Sequence, residues 1–216
     1  LVQGGEGGGH TGSVPTSLLL PQVVDTVAGR VPVIAAGGYF DGRGLVSALA
    51  YGADAIAMGT RFLLTSDSAV PGAVKNFYLS KSVTDTVVTV QVDGVPHRVL
   101  RTDLVDHLES GRGKMLALPR AALSALRFRQ LNGLSPVTML REGLAMRKSM
   151  DLSWTQMVMA ANTPMLLKSS LVDGHTDGGV MASGQVVGVI DDLPSCREVV
   201  DRIVDEAERT LKDLGA

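Results

Sequence analysis

VPVIAAGGYFDGRGLVSALAYGADAIAMGT, residues 31–60, runs twice through one pattern, a short apolar stretch that closes on small residues. Val31 to Ala36 is uninterrupted and ends in Gly37-Gly38, as a strand buried on both faces of a parallel sheet does. Asp41 is placed to cap a helix over Arg43–Tyr51 that stops at Gly52, and Ala53 to Met58 reads as a second buried strand ending in Gly59-Thr60. Roughly twenty residues separate the two strand ends, a spacing that alternating strand and helix enforces and hairpins do not. The pattern predicts an α/β fold whose functional edge is the carboxyl edge of the sheet, although glycines at these points would also serve simply to tighten the turns.

Upstream, QGGEGGGHTG (residues 3–12) puts six glycines, Glu6 and His10 into one loop. Backbone without Cβ atoms approaches a ligand closely and exposes N–H groups, which suits a loop around a phosphate or a planar cofactor, with Gln3 and His10 bracketing the site. A flexible linker or a tag remnant is the competing reading, but linkers rarely carry a Glu and a His among the glycines and run on into apolar sequence. Leu1 and Val2 read as the end of a strand, so the chain is expected to be the C-terminal part of a longer protein. Between the loop and Val31, a helix is predicted over Leu20–Val27, with Pro21 in its first turn and Ala28-Gly29 as its stop.

Downstream, Val70 to Leu79 has helical spacing, and Thr86–Val92 and Val95–Leu100 form a hairpin about Asp93-Gly94. Leu104 to Leu171 reads as a mostly helical second domain or lid. Its methionines Met139, Met146, Met150, Met157, Met159 and Met165 serve as adaptable core filler or as the wall of a variable apolar site. HTDGGVMASGQVVGVIDD (residues 175–192) returns to glycine-rich turns. Ser195 and Glu198 are spaced as a capping box for a final helix with Val200, Ile203, Val204, Ala207, Leu211 and Leu214 on its docking stripe. His97 falls in a strand and His107 on a helix. Asp173, His175 and Asp177 read as a surface turn, not a metal site, because no cysteine and no ligand spacing support them.

The chain has 216 residues, 45% of them hydrophobic, enough for a sizeable core. A net charge of −2 and the lack of a dense Lys/Arg stripe exclude a nucleic-acid backbone as partner. The single Cys196 excludes an intramolecular disulfide framework and a cysteine metal cluster, and no apolar run reaches membrane-spanning length; a reducing, cytoplasmic setting is expected.

Three pieces in order, QGGEGGGHTG, VPVIAAGGYFDGRGLVSALAYGADAIAMGTRFLLTSDS and ASGQVVG, resemble the nitronate monooxygenase family, formerly 2-nitropropane dioxygenases, and its relatives the flavin-dependent enoyl reductases. The resemblance implies the C-terminal part of a (β/α)8 TIM barrel with FMN at its mouth. Residues 1–68 would run from the end of the sixth strand to the eighth, 69–178 would be a hairpin plus helical insert, and 179–216 the return loop and last barrel helix. At about thirty residues per unit, the absent strands and helices amount to roughly 150 residues upstream.

By the same resemblance Gln3 and Gly8 contact the flavin ring system. Gly38 and the Ala57-Met58-Gly59-Thr60 turn hold the ribityl phosphate, Gln185 lies in a loop near the flavin mouth, and His10 faces the substrate; Gly37 joins them from its place at a strand end, where a phosphate needs backbone donors. Family members usually carry Ala where Gly7 stands and often Gln where Ala57 stands, so one side-chain contact to FMN is in question. Glu6 either orients the loop or His10, or faces solvent.

The activity implied is oxidation of alkyl nitronates by FMN with O2, His10 acting as base or as a donor to the anion. The alternatives are an NAD(P)H-dependent reductase of enoyl or related acyl-CoA thioesters, and a phosphate-binding barrel module without redox function. An aldolase or isomerase barrel would need a lysine or carboxylate at a strand tip, and neither tip has one. The helical insert serves equally as a lid or as a homodimer face.

Overall fold

The computed structural model describes residues 1–110, 154–177 and 179–215. In chain order the elements are β1 (Val2–Gln3), β2 (Gly9–His10), α1 (Thr16–Val27), β3 (Ile34–Ala36), α2 (Gly42–Ala50), β4 (Ala55–Ala57), α3 (Thr60–Leu63), α4 (Gly72–Leu79), β5 (Thr86–Thr89), β6 (His97–Leu100), α5 (Asp103–Glu109), α6 (Trp154–Leu171), a 3-10 helix (Gln185–Val189) and α7 (Cys196–Asp213). No helix among the described residues is long and apolar enough to cross a membrane.

The predicted parallel sheet forms in the order β1-β3-β4, with both pairs parallel. Its strands are shorter than their apolar runs. Pro32 has no N–H to give, and the flank before β3 is tied instead to Asp54, whose carboxylate accepts from Val33 N at 2.7 Å while its own N–H donates to Val33 O at 2.8 Å. The expectation of burial on both faces holds within β3 except at Ile34. Val33 and Ala35 pack under α1 and α2 against Leu20, Ala48 and Ala53, whereas Ile34, pointing the other way, is 38% exposed.

Two helix boundaries follow their caps. Asp41 Oδ1 accepts from Gly44 N at 2.8 Å to start α2, and Ser195 and Glu198 form the full capping box of α7. Helix α1 begins at Thr16, so Pro21 lies inside it and not in its first turn; the chain turns earlier because Glu6 takes up the Thr16 N–H. The docking stripe of α7 is Val199, Ile203 and Ala207, with Val200 and Val204 about half exposed. Contact with α2 at Gly42 selects this neighbouring face: a Cβ on Gly42 would stand 2.5 Å from Ala207 N and 2.6 Å from Ile203 O.

The hairpin forms as β5-β6 but is joined by residues 90–96, because Thr89 pairs with His97. Asp93 does not serve a tight two-residue turn; its side chain folds inward and accepts from Val95 N at 3.1 Å. β2 adds to the free side of β6, Gly9 opposite Arg98 and His10 opposite His97, so the glycine loop becomes the third strand of a second sheet. Of the expected helical insert, residues 111–153 lie outside the described residues, including Met139, Met146 and Met150, as do the side chains of Met157 and Met159; the described flanks are α5 and α6. Asp173, His175 and Asp177 are exposed, with Asp173 paired to Lys168 at 2.7 Å.

Candidate functional site

Register brings three strand ends into one row. Gln3 pairs with Ala36 and Ala36 with Ala57, so β1, β3 and β4 all release the chain at the same edge of the sheet. There the backbone turns on Gly37 and Gly38, at φ 88° and 86°, a region in which side chains are strained. A cavity of about 460 Å³ opens at this edge, within the usual range of about 300–1,000 Å³ for small-molecule sites.

Gln3, Gly8, Gly37, Gly38, Ala57, Met58, Gly59 and Thr60 all lie on its wall. Gln185 does not, although its neighbours Gly184 and Val186 do; its backbone N–H is spent on Glu6 O at 3.0 Å. His10 also lies off the wall.

The glycine loop is fastened at many points, which no linker would be. Gly4 N reaches Ala36 O at 3.0 Å and Gly5 N reaches Val14 O at 2.7 Å. The guanidinium of Arg98, whose pKa burial lowers against the opposing pull of Glu6, donates to Gly5 O at 2.8 Å. Glu6 orients the loop and not His10: its carboxylate accepts from Thr16 N and from Thr16 Oγ1 at 2.8 Å, serving the open N–H groups of α1. Gly8 presses on the return loop, where Gly184 N donates to Thr60 Oγ1 at 3.0 Å. Gln3 links wall and histidine, its amide donating to His10 O at 2.8 Å.

Tyr39 was not singled out in the sequence, yet it lines the cavity and its buried hydroxyl has no partner among the described residues. Burial first, then the charge of Glu6, pushes its pKa up to about 12, so it remains a neutral donor. The signal was an aromatic residue immediately after two strand-end glycines.

His10 stands in a second constellation. Its Nε2 is 2.6 Å from Asp93 Oδ2, the same oxygen lies 3.3 Å from His97 Nδ1, and the two rings are 4.7 Å apart. Asp93 and His97 are buried, while the His10 side chain is 61% exposed. Sequence reading missed this grouping because 83 residues separate Asp93 from His10 and nothing local marks their meeting.

The sequence profile of the nitronate monooxygenase family matches residues 1–206. Two curated proteins called (3aS,4S,5R,7aS)-5-hydroxy-7a-methyl-1-oxo-octahydro-1H-indene-4-carboxyl-CoA dehydrogenase align along the whole chain, that of Mycobacterium tuberculosis at 59% identity and that of Rhodococcus jostii at 57%. The chain spans 61% and 60% of their respective lengths. Among solved structures, FabK from Thermotoga maritima superimposes with a TM-score of 0.69 at 30% identity, covering 99% of this chain and 55% of its own.

Proposed function

The chain belongs to the nitronate monooxygenase family, and from that premise we propose that it carries the flavin pocket of an oxidoreductase acting on a hydroxylated, ring-bearing acyl-CoA thioester. The observation that carries the pocket is the single row of Gln3, Ala36 and Ala57 at the mouth of a cavity of about 460 Å³. The substrate class follows the dehydrogenases that align along the whole chain. The partly exposed Ile34 on β3 fits a (β/α)8 barrel completed by strands of a longer polypeptide, and in this reading residues 69–178 are inserted between its last units.

The wall suits a flavin mononucleotide. A Cβ on Gly59 would meet nothing within 4 Å, so open space lies over that backbone, and Gly37-Gly38 adds a further turn free of side chains. Gly37, Gly38 and the Ala57-Met58-Gly59-Thr60 turn would hold the phosphate through backbone N–H groups, and Gln3 and Gly8 would border the ring system. The Gly184-Gln185 loop closes the rim.

A bound flavin supplies the two-electron acceptor, with O2 or a nicotinamide coenzyme as co-substrate. His10 takes the proton of the substrate hydroxyl. Arg98 and Glu6 hold the loop that carries His10, and Tyr39 offers a neutral O–H to whatever occupies the cavity.

A second reading, oxidation of an alkyl nitronate, is favoured by the family profile over residues 1–206. Anaerobic stopped-flow mixing of the full-length, flavin-loaded protein separates the readings. A hydroxylated cyclic acyl-CoA is expected to bleach the flavin. Bleaching by nitronate alone would replace the first reading with the second, and bleaching by NAD(P)H with recovery on an enoyl thioester would establish a reductase. A protein that takes up no flavin on reconstitution would overturn all three.

A further inference from the structure

The hairpin loop delivers one buried carboxylate to two imidazoles. Asp93, 4% exposed, receives Val95 N–H on Oδ1 and both His10 Nε2 and His97 Nδ1 on Oδ2. Burial alone would favour the neutral acid, but the bonds from Val95, His10 and His97 outweigh it and hold the carboxyl below the usual carboxylate range. An ionised carboxylate only accepts, so each contact has its proton on the ring: Nε2–H in His10 and Nδ1–H in His97. In the neutral rings this leaves His10 Nδ1 free on an exposed side chain and His97 Nε2 buried without a partner among the described residues.

The three groups also meet the loose requirement for a metal site, with ligand atoms within 4.8 Å of one another. The 2.6 Å contact argues otherwise. Two ligands each about 2.0–2.1 Å from a tetrahedral zinc stand about 3.3 Å apart. A shared proton fits the gap and an ion does not.

We propose that Asp93 is the positioning residue for His10: it fixes the imidazole as the Nε2–H tautomer, leaves Nδ1 unprotonated on the exposed side chain to take the proton of the substrate hydroxyl, and is braced by His97 on the same oxygen. The inference rests on the reading of His10 as the group that takes the substrate proton. In that transfer the O–H proton passes to Nδ1, and Oδ2, already 2.6 Å from the opposite nitrogen, stabilises the imidazolium that results. Within the glycine loop Gln3 donates to the backbone carbonyls of Gly8 and His10, not to the imidazole.

The test uses the full-length, flavin-loaded protein. Nitrogen-15 NMR of the wild type is expected to show His10 as Nε2–H; a predominant Nδ1–H form would overturn the proposal without any variant. Asp93→Asn is expected to lower the single-turnover rate of flavin reduction about 100-fold at unchanged flavin occupancy and substrate KM, and to shift the His10 tautomer. Added to His10→Ala, it is expected to cost almost nothing more; multiplied losses would mean that Asp93 acts independently of His10 and would overturn the proposal. Full activity in His10→Ala would instead sink the reading of His10 as the base, while the tautomer result would still decide what Asp93 does.

Discussion

Gly8 lies so close to Gly184 that a methyl group on it would stand 2.5 Å from the Gly184 nitrogen and equally near the Ser183 carbonyl carbon. Both obstacles are backbone, so Gly8→Ala forces the glycine loop and the return loop apart at the cavity wall. An overpacking cost of about 1–3 kcal/mol is expected to appear as a loss of flavin affinity of roughly tenfold or more. Fluorescence titration of the apoprotein reads it directly, and wild-type affinity would show that the two loops separate freely.

His10→Ala removes an imidazole that does not line the cavity. Flavin occupancy is therefore expected to stay at the wild-type ratio while turnover falls by roughly 10²–10⁴. A variant purified without flavin would make His10 a support of the loop and not a participant in the chemistry.

The parts of this fold that could be read from sequence are those fixed within a few residues. Asp41 and the Ser195/Glu198 pair act on N–H groups three positions away, and the glycines after β3 declare a turn that other residues resist. The turns that line the cavity were legible for the same reason. What escaped depends on distant partners. β2 is two residues long and is a strand only because β6, nearly ninety residues later, offers it a free edge. Val199 and Val200 are adjacent and both apolar, and only the close approach of Gly42 decides which one α7 buries.

That approach gives a stability prediction remote from the cavity. Gly42→Ala would drive a methyl group into the backbone of Ala207 and Ile203 and disturb the contact that lets Gly42 N donate to Glu206 at 2.8 Å. About 1–3 kcal/mol of destabilisation is expected in urea denaturation. The flavin affinity of the folded fraction should be unaffected.

Two tyrosines set an alkaline limit. Tyr39 has its pKa pushed up to about 12, and burial raises Tyr78 further, its hydroxyl donating to Ala182 O at 2.8 Å. Below about pH 10, where an unfolded tyrosine titrates, both states keep these protons and the tyrosines add no pH dependence. Above it the unfolded chain releases protons that the folded chain retains, so stability must fall as pH rises from about 10 toward 12. Tyr39→Phe should flatten part of this slope in the flavin-free protein. Because the Tyr39 hydroxyl is buried without a partner among the described residues, the same change is expected to stabilise the apoprotein at neutral pH by about 1 kcal/mol. A loss of stability at neutral pH would show that the hydroxyl is already satisfied.

Ala28 ends α1 in the left-handed region, at φ 50°, with its N–H returned to Val24 O. It is the sole non-glycine residue at positive φ among the described residues, and Gly29 follows at φ 72°. For an L-residue this conformation costs roughly 1–2 kcal/mol, of which the greater freedom of an unfolded glycine gives back a part. Ala28→Gly is accordingly expected to stabilise the protein by about 0.5–1 kcal/mol, a gain far from the cavity that leaves flavin binding and turnover alone. Thermal unfolding checks the sign, and an unchanged or lower Tm would mean that the Ala28 methyl group makes packing contacts worth as much as the strain.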